Sequence, residues 1–169
     1  MRTELYWIEG PWPGRLAIMP RPRGGDWLED EIQSWRQAGV DIVLSLLEAS
    51  EIAELGLSDE GKLCGLNGIE YCTFPIPDRD VPASRESSVE LAMRMAELLA
   101  DGKNLAVHCR QGIGRAALVA IAILIGSGID RRTAVSRASA ARGRPVPEML
   151  EQHQWLANFA ELLLEEASK

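Results

Sequence analysis

The chain has 169 residues, 46% of them apolar, which is enough to bury a core without disulfides or metals, so we expect a single domain over residues 1–169. Its formal charge of −7 argues against nucleic acid or an anionic membrane as partners, because both need a clustered basic face. Three cysteines without paired spacing, and an amino terminus without a secretory pattern, indicate reduced thiols and a cytoplasmic protein, which we expect to be a monomer.

Hydrophobic periodicity and turn residues predict strands that alternate with helices. In chain order, the pattern predicts strands at 5–8 and 15–19, a helix at 26–38, a strand at 40–46, helices at 48–55 and 58–66, a strand at 69–74, a helix at 84–100, a strand at 104–108, and helices at 116–125, 130–141 and 148–166. We expect the first two strands at a sheet edge. Asp26 followed by Glu29 indicates a capping box, and Gly39 a left-handed helix terminus.

This alternation predicts an α/β fold of three layers, with a central, mostly parallel sheet of about five strands flanked by helices. In such folds, ligands bind beyond the carboxyl ends of the central strands. The loop that follows the strand at 104–108 occupies this position, so it is the first candidate for a functional site.

The segment 108–115 combines a thiol, two glycines and an arginine between a strand and a helix. Gly112 and Gly114 let successive amides turn inward as an anion nest, and the following helix directs its positive end at the same point. Cys109 at this helix start should be largely thiolate. Arg115 can hold two phosphate oxygens at once. The segment therefore predicts a socket for oxyanions such as phosphate, sulfate or vanadate, with a sulfur nucleophile beneath it.

Cleavage of a phosphate ester also needs a proton for the leaving oxygen, which a positioned carboxylic acid supplies. Residues 75–82 must form a loop because three prolines at this spacing exclude regular structure. Asp78 and Asp80 in this loop are both candidate acids.

The segment His108-Cys109-Arg110-Gln111-Gly112-Ile113-Gly114-Arg115 resembles the signature loop of the cysteine-dependent protein tyrosine and dual-specificity phosphatases, and the chain is most similar to their small prokaryotic type. Pro77-Asp78 looks like the family's mobile acid loop, and residues 142–159 resemble its carboxyl-terminal region. The resemblance implies phosphomonoester hydrolysis through a phosphocysteine, without cofactor or metal, with Cys109, Arg115 and Asp78 as the catalytic residues. The predicted substrate-binding residues are His108, Arg110, Gln111, Gly112, Ile113, Gly114, Ala116 and Gln152.

Four side chains carry further expectations, and two of them, Gln152 and Cys72, leave alternatives open. His108 should support the loop from behind, since adjacent strand residues point to opposite faces. Ala116 stands where the family usually has serine or threonine, which removes a hydroxyl donor to the sulfur and predicts slow turnover. Gln152 either orients the hydrolytic water or faces solvent. Cys72 either forms a regulatory disulfide with Cys109 or is an inert core residue.

Two other functions compete with hydrolysis. Sulfurtransferases also use a cysteine in an anion-binding loop, although the five residues between Cys109 and Arg115 suit a phosphate socket. The alternative from another class is a weakly catalytic module that binds phosphorylated ligands, which Ala116 suggests. The substrate, a phosphorylated protein or a small phosphomonoester such as an inositol phosphate or a nucleotide, stays open at this point.

Overall fold

A computed structural model describes residues 4–168. Its strands are β1 (Tyr6–Ile8), β2 (Leu16–Met19), β3 (Ile42–Ser45), β4 (Glu70–Thr73) and β5 (Leu105–His108). Its helices are α1 (Leu28–Gln37), α2 (Ala49–Glu54), α3 (Glu60–Leu66), α4 (Arg85–Ala100), α5 (Arg115–Gly126), α6 (Arg131–Arg142) and α7 (Leu150–Ala167).

The five strands form one sheet in the order β1-β2-β5-β3-β4. Strand β1 is antiparallel to β2, whereas β2, β5, β3 and β4 are mutually parallel. The predicted mostly parallel sheet with flanking helices is thus confirmed. The expected edge position holds for β1 only, because β2 pairs with β5 inside the sheet.

Successive strand residues face opposite sides of the sheet, and each side carries its own apolar cluster. Leu16, Leu44 and Val107 face the cluster covered by α4, α5, α6 and α7. Ala17, Val43 and Ala106 face the other cluster, covered by α1 and α3. Helix α5 is buried along nearly its whole length, which accounts for its continuous apolar sequence. Between residues 4 and 168, no helix combines the length and apolarity needed to cross a bilayer.

The start of α1 differs from the predicted capping box. Asp26 lies in a single 3-10 turn, Gly25–Trp27, and α1 begins two residues later, at Leu28. The amide of Trp27 donates to the carbonyl of Gly24 at 3.4 Å, so this turn leads into the helix through backbone hydrogen bonds and the capping-box prediction is wrong. The left-handed terminus at Gly39 is confirmed by its φ of +95°.

The carboxyl end of β5 lies between the equivalent ends of β2 and β3. His108, its last residue, is in register with Met19 and Ser45. The loop that follows is fastened on both sides: Leu46 donates its amide to the His108 carbonyl at 3.0 Å, and Arg21 donates to the Arg110 carbonyl at 3.0 Å. The fold therefore places the loop at the carboxyl ends of the parallel strands, above the middle of the sheet.

Candidate active site

The loop from Cys109 to Gly114 connects β5 to α5 and depends on glycine at one position. Gly112 has a φ of +75°, and a Cβ there would lie 3.0 Å from the backbone C and O of Met19 and 3.1 Å from the nitrogen of Pro20. Any other residue would be strained in conformation and crowded by backbone. Glycine thus lets the loop pass directly over the end of β2.

Arg142, at the end of α6, holds the loop from outside. Its guanidinium donates to the carbonyls of Gln111 at 3.1 Å and Gly112 at 3.3 Å, and lies 4.2 Å from the ring centroid of Tyr6. In a planar trans peptide the carbonyl and the following amide point in opposite directions. Holding these two carbonyls outward therefore turns the amides of Gly112 and Ile113 toward the inside of the loop. Nothing in the sequence distinguishes Arg142 from the other arginines of this basic segment.

Cys109 lies at the base of the loop with 3% of its surface exposed. Its Sγ accepts a hydrogen bond from the backbone amide of Ala116 at 3.4 Å. Position 116 therefore supplies a hydrogen-bond donor to the sulfur through its backbone amide, although alanine lacks the side-chain hydroxyl that the family usually has there. The Ala116 side chain is fully buried in the core and does not reach the cavity.

Arg115 is 2% exposed and is held by a carboxylate that the sequence analysis did not identify. Its Nη1 and Nη2 donate to the two Glu51 oxygens at 2.7 and 3.0 Å, and Nη1 also donates to the Ile76 carbonyl at 2.9 Å. Glu51 additionally accepts from Arg110 Nε at 2.7 Å. Burial pushes the pKa of Glu51 up, but hydrogen bonds from Arg115, the Glu48 amide and Arg110 outweigh it and hold the pKa at about 2.

The two candidate acids occupy different environments. Asp78 accepts a hydrogen bond from Arg115 Nη2 at 3.0 Å, and its side chain is 52% exposed at the mouth of the loop. Asp80 instead completes the turn itself, since its amide donates to the Pro77 carbonyl at 3.1 Å and its Oδ1 accepts from the Val81 amide at 2.7 Å. The arrangement brings Asp78 to the loop arginine and leaves Asp80 within its own turn.

These elements enclose a cavity of about 410 Å³ above the loop. Its lining residues are Asp78, Arg79, Cys109, Arg110, Gln111, Ile113, Gly114, Arg115 and Glu148. Of the predicted site residues, the catalytic three and four of the substrate-binding eight line it. Arg79 and Glu148 were missed because a charged residue in a loop has no periodicity or spacing that distinguishes it from a solvated one.

Three predicted substrate-binding side chains are fully buried behind the loop instead of in the cavity lining: His108, Ala116 and Gln152. His108 Nε2 lies 2.6 Å from Glu60 Oε2, as expected of a supporting residue. Gln152 Nε2 donates to the Asp80 carbonyl at 3.2 Å, and its Oε1 accepts from the Met149 amide at 3.2 Å. The solvent-facing alternative for Gln152 is wrong, because the first turn of α7 packs beneath the acid loop. Gly112 also lies outside the lining and acts through its backbone.

The strand register separates Cys72 from Cys109. Cys72 is aligned with Leu44, which is aligned with Val107, so Cys109 lies two strands across and two residues further along. Strand spacing of about 4.8 Å and a rise of about 3.3 Å per residue put the two Cα atoms roughly 12 Å apart. A disulfide needs less than about 7 Å. The regulatory disulfide is therefore excluded in this conformation. Burial, aided by Glu70, also raises the pKa of the Cys72 thiol.

The fold, the anion-binding loop with its buried thiol and arginine, and the adjacent aspartate are the features of the cysteine-dependent phosphatases of the protein tyrosine and dual-specificity class. The chain belongs to the Tc-R-P family, described as "Polymorphic toxin system, DSP-PTPase phosphatase", whose model matches residues 17–129. It is 23% identical over 138 residues to cyclin-dependent kinase inhibitor 3 of Rattus norvegicus, an alignment that covers 80% of this chain and 65% of that protein. The chain thus spans less than two thirds of this relative.

Solved structures share the fold. A kinase associated phosphatase with serine at its catalytic-site cysteine superposes with a TM-score of 0.87 at 18% identity, over 97% of both chains. Tk-PTP in its active form gives a TM-score of 0.73 at 27% identity, over 93% of this chain and 96% of that one. PTPMT1 in complex with PI(5)P gives 0.72 at 19% identity, over 95% and 99% of the two chains. At 18% and 19% identity the likeness is one of fold alone.

Proposed function

We propose that the protein hydrolyses phosphomonoesters through a phosphocysteine intermediate, with Cys109 as the nucleophile, Arg115 as the clamp for the phosphoryl oxygens and Asp78 as the general acid. One observation carries the proposal: the Cys109 thiol, the Arg115 guanidinium and the Asp78 carboxyl line the same cavity. The whole cavity is formed by the candidate acid loop, the anion-binding loop and the segment before α7. No cofactor takes part in the proposed reaction.

In the first step, the Cys109 thiolate attacks phosphorus in line with the leaving oxygen. The S–P bond forms as the P–O bond breaks, and Asp78 in its acid form gives the leaving oxygen a proton. Arg115 and the loop amides hold the phosphoryl oxygens, whose charge is spread in the transition state. In the second step, water attacks phosphorus, the Asp78 carboxylate takes the proton of that water, and the thiolate is released.

The contact between Asp78 and Arg115 has a consequence for substrate binding, because a bound phosphate group needs the same guanidinium. Arg115 Nη2 donates to Asp78 Oδ1 at 3.0 Å and also to Glu51 Oε2 at 3.0 Å. A phosphate dianion that enters the socket competes with Asp78 for this donor, since both are anions. We infer that substrate displaces Asp78 from Arg115 and that the displaced carboxyl is then available to the leaving group.

The cavity lining bears on the substrate class. The protein acts on a phosphorylated substrate, and we propose a phosphorylated protein as the first candidate, with free phosphate, sulfate or vanadate as competing oxyanions. Charged side chains predominate in the lining, and none of the described residues that form it is aromatic. This polarity favours a small polar phosphomonoester as the second candidate, because a phosphotyrosine ring would find no aromatic wall to pack against.

The proposal also covers the organisation of the chain. One phosphatase domain over residues 1–169 is supported by two apolar clusters that share a single sheet. The three cysteines are unpaired, which is what a reducing compartment such as the cytoplasm favours.

Hydrolysis of an aryl phosphate in the presence of a chelator tests this function. We expect activity that vanadate inhibits and that Cys109→Ser abolishes. A chelator-sensitive activity that survives Cys109→Ser would overturn the mechanism. Transfer of sulfur from thiosulfate to cyanide would favour a sulfurtransferase instead, and tight phosphopeptide binding with negligible turnover would favour the binding module.

A further inference from the structure

A buried pair of ionisable side chains lies directly behind the candidate nucleophile. His108 is the last residue of β5 and Glu60 is the first of α3, and both side chains are 0% exposed. His108 Nε2 lies 2.6 Å from Glu60 Oε2, and His108 Nδ1 lies 3.3 Å from the carbonyl oxygen of Cys109. The imidazole thus joins a buried carboxyl group to the backbone of the residue that carries the thiol.

The two contacts of the imidazole fix where its hydrogens are. A carbonyl oxygen only accepts hydrogen bonds, so His108 Nδ1 must carry a hydrogen. At 2.6 Å, a further hydrogen must lie between Nε2 and Oε2, either on nitrogen opposite a carboxylate or on oxygen opposite a neutral ring. In both forms the pair is neutral overall. A neutral imidazole with its hydrogen on Nε2 would instead set a bare Nδ1 lone pair against the Cys109 carbonyl.

The surroundings of Glu60 also disfavour a lone carboxylate. Among residues 4–168, no lysine or arginine pairs with Glu60, and its Oε1 accepts no hydrogen bond. Burial and the proximity of Glu60 raise the pKa of both Cys64 and Tyr71 to about 12, so these neighbours from α3 and β4 stay neutral. From α1, the ring of Trp35 lies 6.3 Å from that of His108. An unpaired charge buried here would be strongly destabilising, which favours the arrangement in which the pair is neutral overall.

We propose that Glu60 is a positioning residue which, through the proton it shares with His108, aims the first amide of the anion-binding loop. With Nδ1–H directed at the Cys109 carbonyl, that carbonyl points back into the protein, and the amide of Arg110 on the same planar peptide points forward into the socket. The neutral pair adds no negative charge behind the thiolate. The consequence for catalysis rests on the proposed role of Cys109, whereas the proton arrangement does not.

The nitrogen spectrum of the histidine rings tests the proton arrangement. The chain has only two histidines, so His153→Gln leaves His108 as the sole ring signal. With ¹⁵N-labelled histidine at pH 7, we expect Nδ1 of His108 to be protonated in the parent and in Glu60→Gln, whose amide can donate to Nε2. In Glu60→Met, which has no polar partner for Nε2, the Cys109 carbonyl remains beside Nδ1, so we expect the hydrogen to stay on Nδ1 and the Nε2 signal to move to that of an unprotonated nitrogen without a hydrogen bond. An unprotonated Nδ1 in the parent would overturn the inference.

Alkylation of Cys109 by iodoacetamide tests the positioning role without requiring turnover. We expect Glu60→Met to slow alkylation and lower kcat/KM by about 10-fold, the rate equivalent of about one hydrogen bond, and Glu60→Gln to retain most of both. In a His108→Asn background, Glu60→Met should have no further effect. Equal effects of Glu60→Met with and without His108 would show ordinary loss of packing and refute the role. Failure of the phosphatase proposal would appear separately, as a parent that alkylates but does not hydrolyse.

Discussion

Replacing Glu51 with glutamine probes the interaction that holds Arg115, the proposed clamp for the phosphoryl oxygens. Glu51 accepts three guanidinium hydrogen bonds, two from Arg115 at 2.7 and 3.0 Å and one from Arg110 at 2.7 Å. Glutamine has nearly the same shape, but it removes the charge and turns one acceptor oxygen into an NH₂ group. At least one arginine N–H would then face another donor.

The expected loss of stability depends on the hydrogen-bond partners that Arg115 keeps in the variant. Breaking a fully buried ion pair costs about 3–5 kcal/mol, and Arg115 retains the Ile76 carbonyl and Asp78, so we expect Glu51→Gln to lower the free energy of unfolding by about 2–4 kcal/mol at pH 7. The pKa of Glu51 is lowered from 4.5 to about 2 in the folded protein. Its stabilising contribution is therefore complete above about pH 4.5 and is lost as the pH falls toward 2.

Urea denaturation at pH 7 and pH 3, together with steady-state kinetics, checks these expectations. The stability difference between parent and variant should shrink at pH 3, and kcat/KM at pH 7 should fall by about 10²-fold, as for a misplaced catalytic group. Glu54→Gln is the matched control: its side chain is 69% exposed and forms an ion pair with Arg110, so its effect on stability should stay within about 0.5 kcal/mol. A Glu51→Gln variant as stable as this control, or a difference that does not change with pH, would refute the reasoning.

Three further substitutions follow from the site. Asp78→Asn should lower kcat for esters with poor leaving groups by about 10²-fold and affect activated aryl esters less, and the same pattern in Asp80→Asn instead would reverse the assignment. Ala116→Ser should speed phosphocysteine breakdown by up to about 10-fold in rapid-mixing experiments, provided that the serine takes the rotamer facing Cys109, where its hydroxyl adds a donor to the departing sulfur, and a parent without a burst contradicts this. Arg79→Gly should raise the free energy of unfolding by about 1 kcal/mol, because Arg79 has a φ of +62° that glycine adopts without strain, and Arg79→Ala should show no such gain.

The parts of the site that could be predicted from the sequence lie within short runs of consecutive residues. The loop from His108 to Arg115 carries its thiol, glycines and arginine at fixed spacing, and α5 follows as an uninterrupted apolar helix. Both could be located because strand, loop and helix are contiguous. The same applies to the acid loop, where three prolines exclude regular structure.

The residues that the sequence did not reveal act across long separations. Glu51 and Glu60 lie 64 and 48 positions before their partners Arg115 and His108, and each occupies an ordinary place at the start of a helix, where acidic residues are common. Only the buried contacts of Glu51 with Arg115 and of Glu60 with His108 distinguish them from solvated side chains. The burial of Gln152 could not be predicted for the same reason, since it depends on how α7 meets the acid loop.

Direct detection of the covalent intermediate tests the central claim. A reaction with a phosphomonoester would be stopped within its first turnovers by denaturation at alkaline pH, where the S–P bond is stable, and then digested and analysed by mass spectrometry. We expect a phosphoryl group on the peptide that contains Cys109, more of it in Asp78→Ala, where the second step lacks its base, and none in Cys109→Ser. Hydrolysis that proceeds without a phosphorylated Cys109, or a phosphoryl group on any other residue during turnover, would contradict the mechanism.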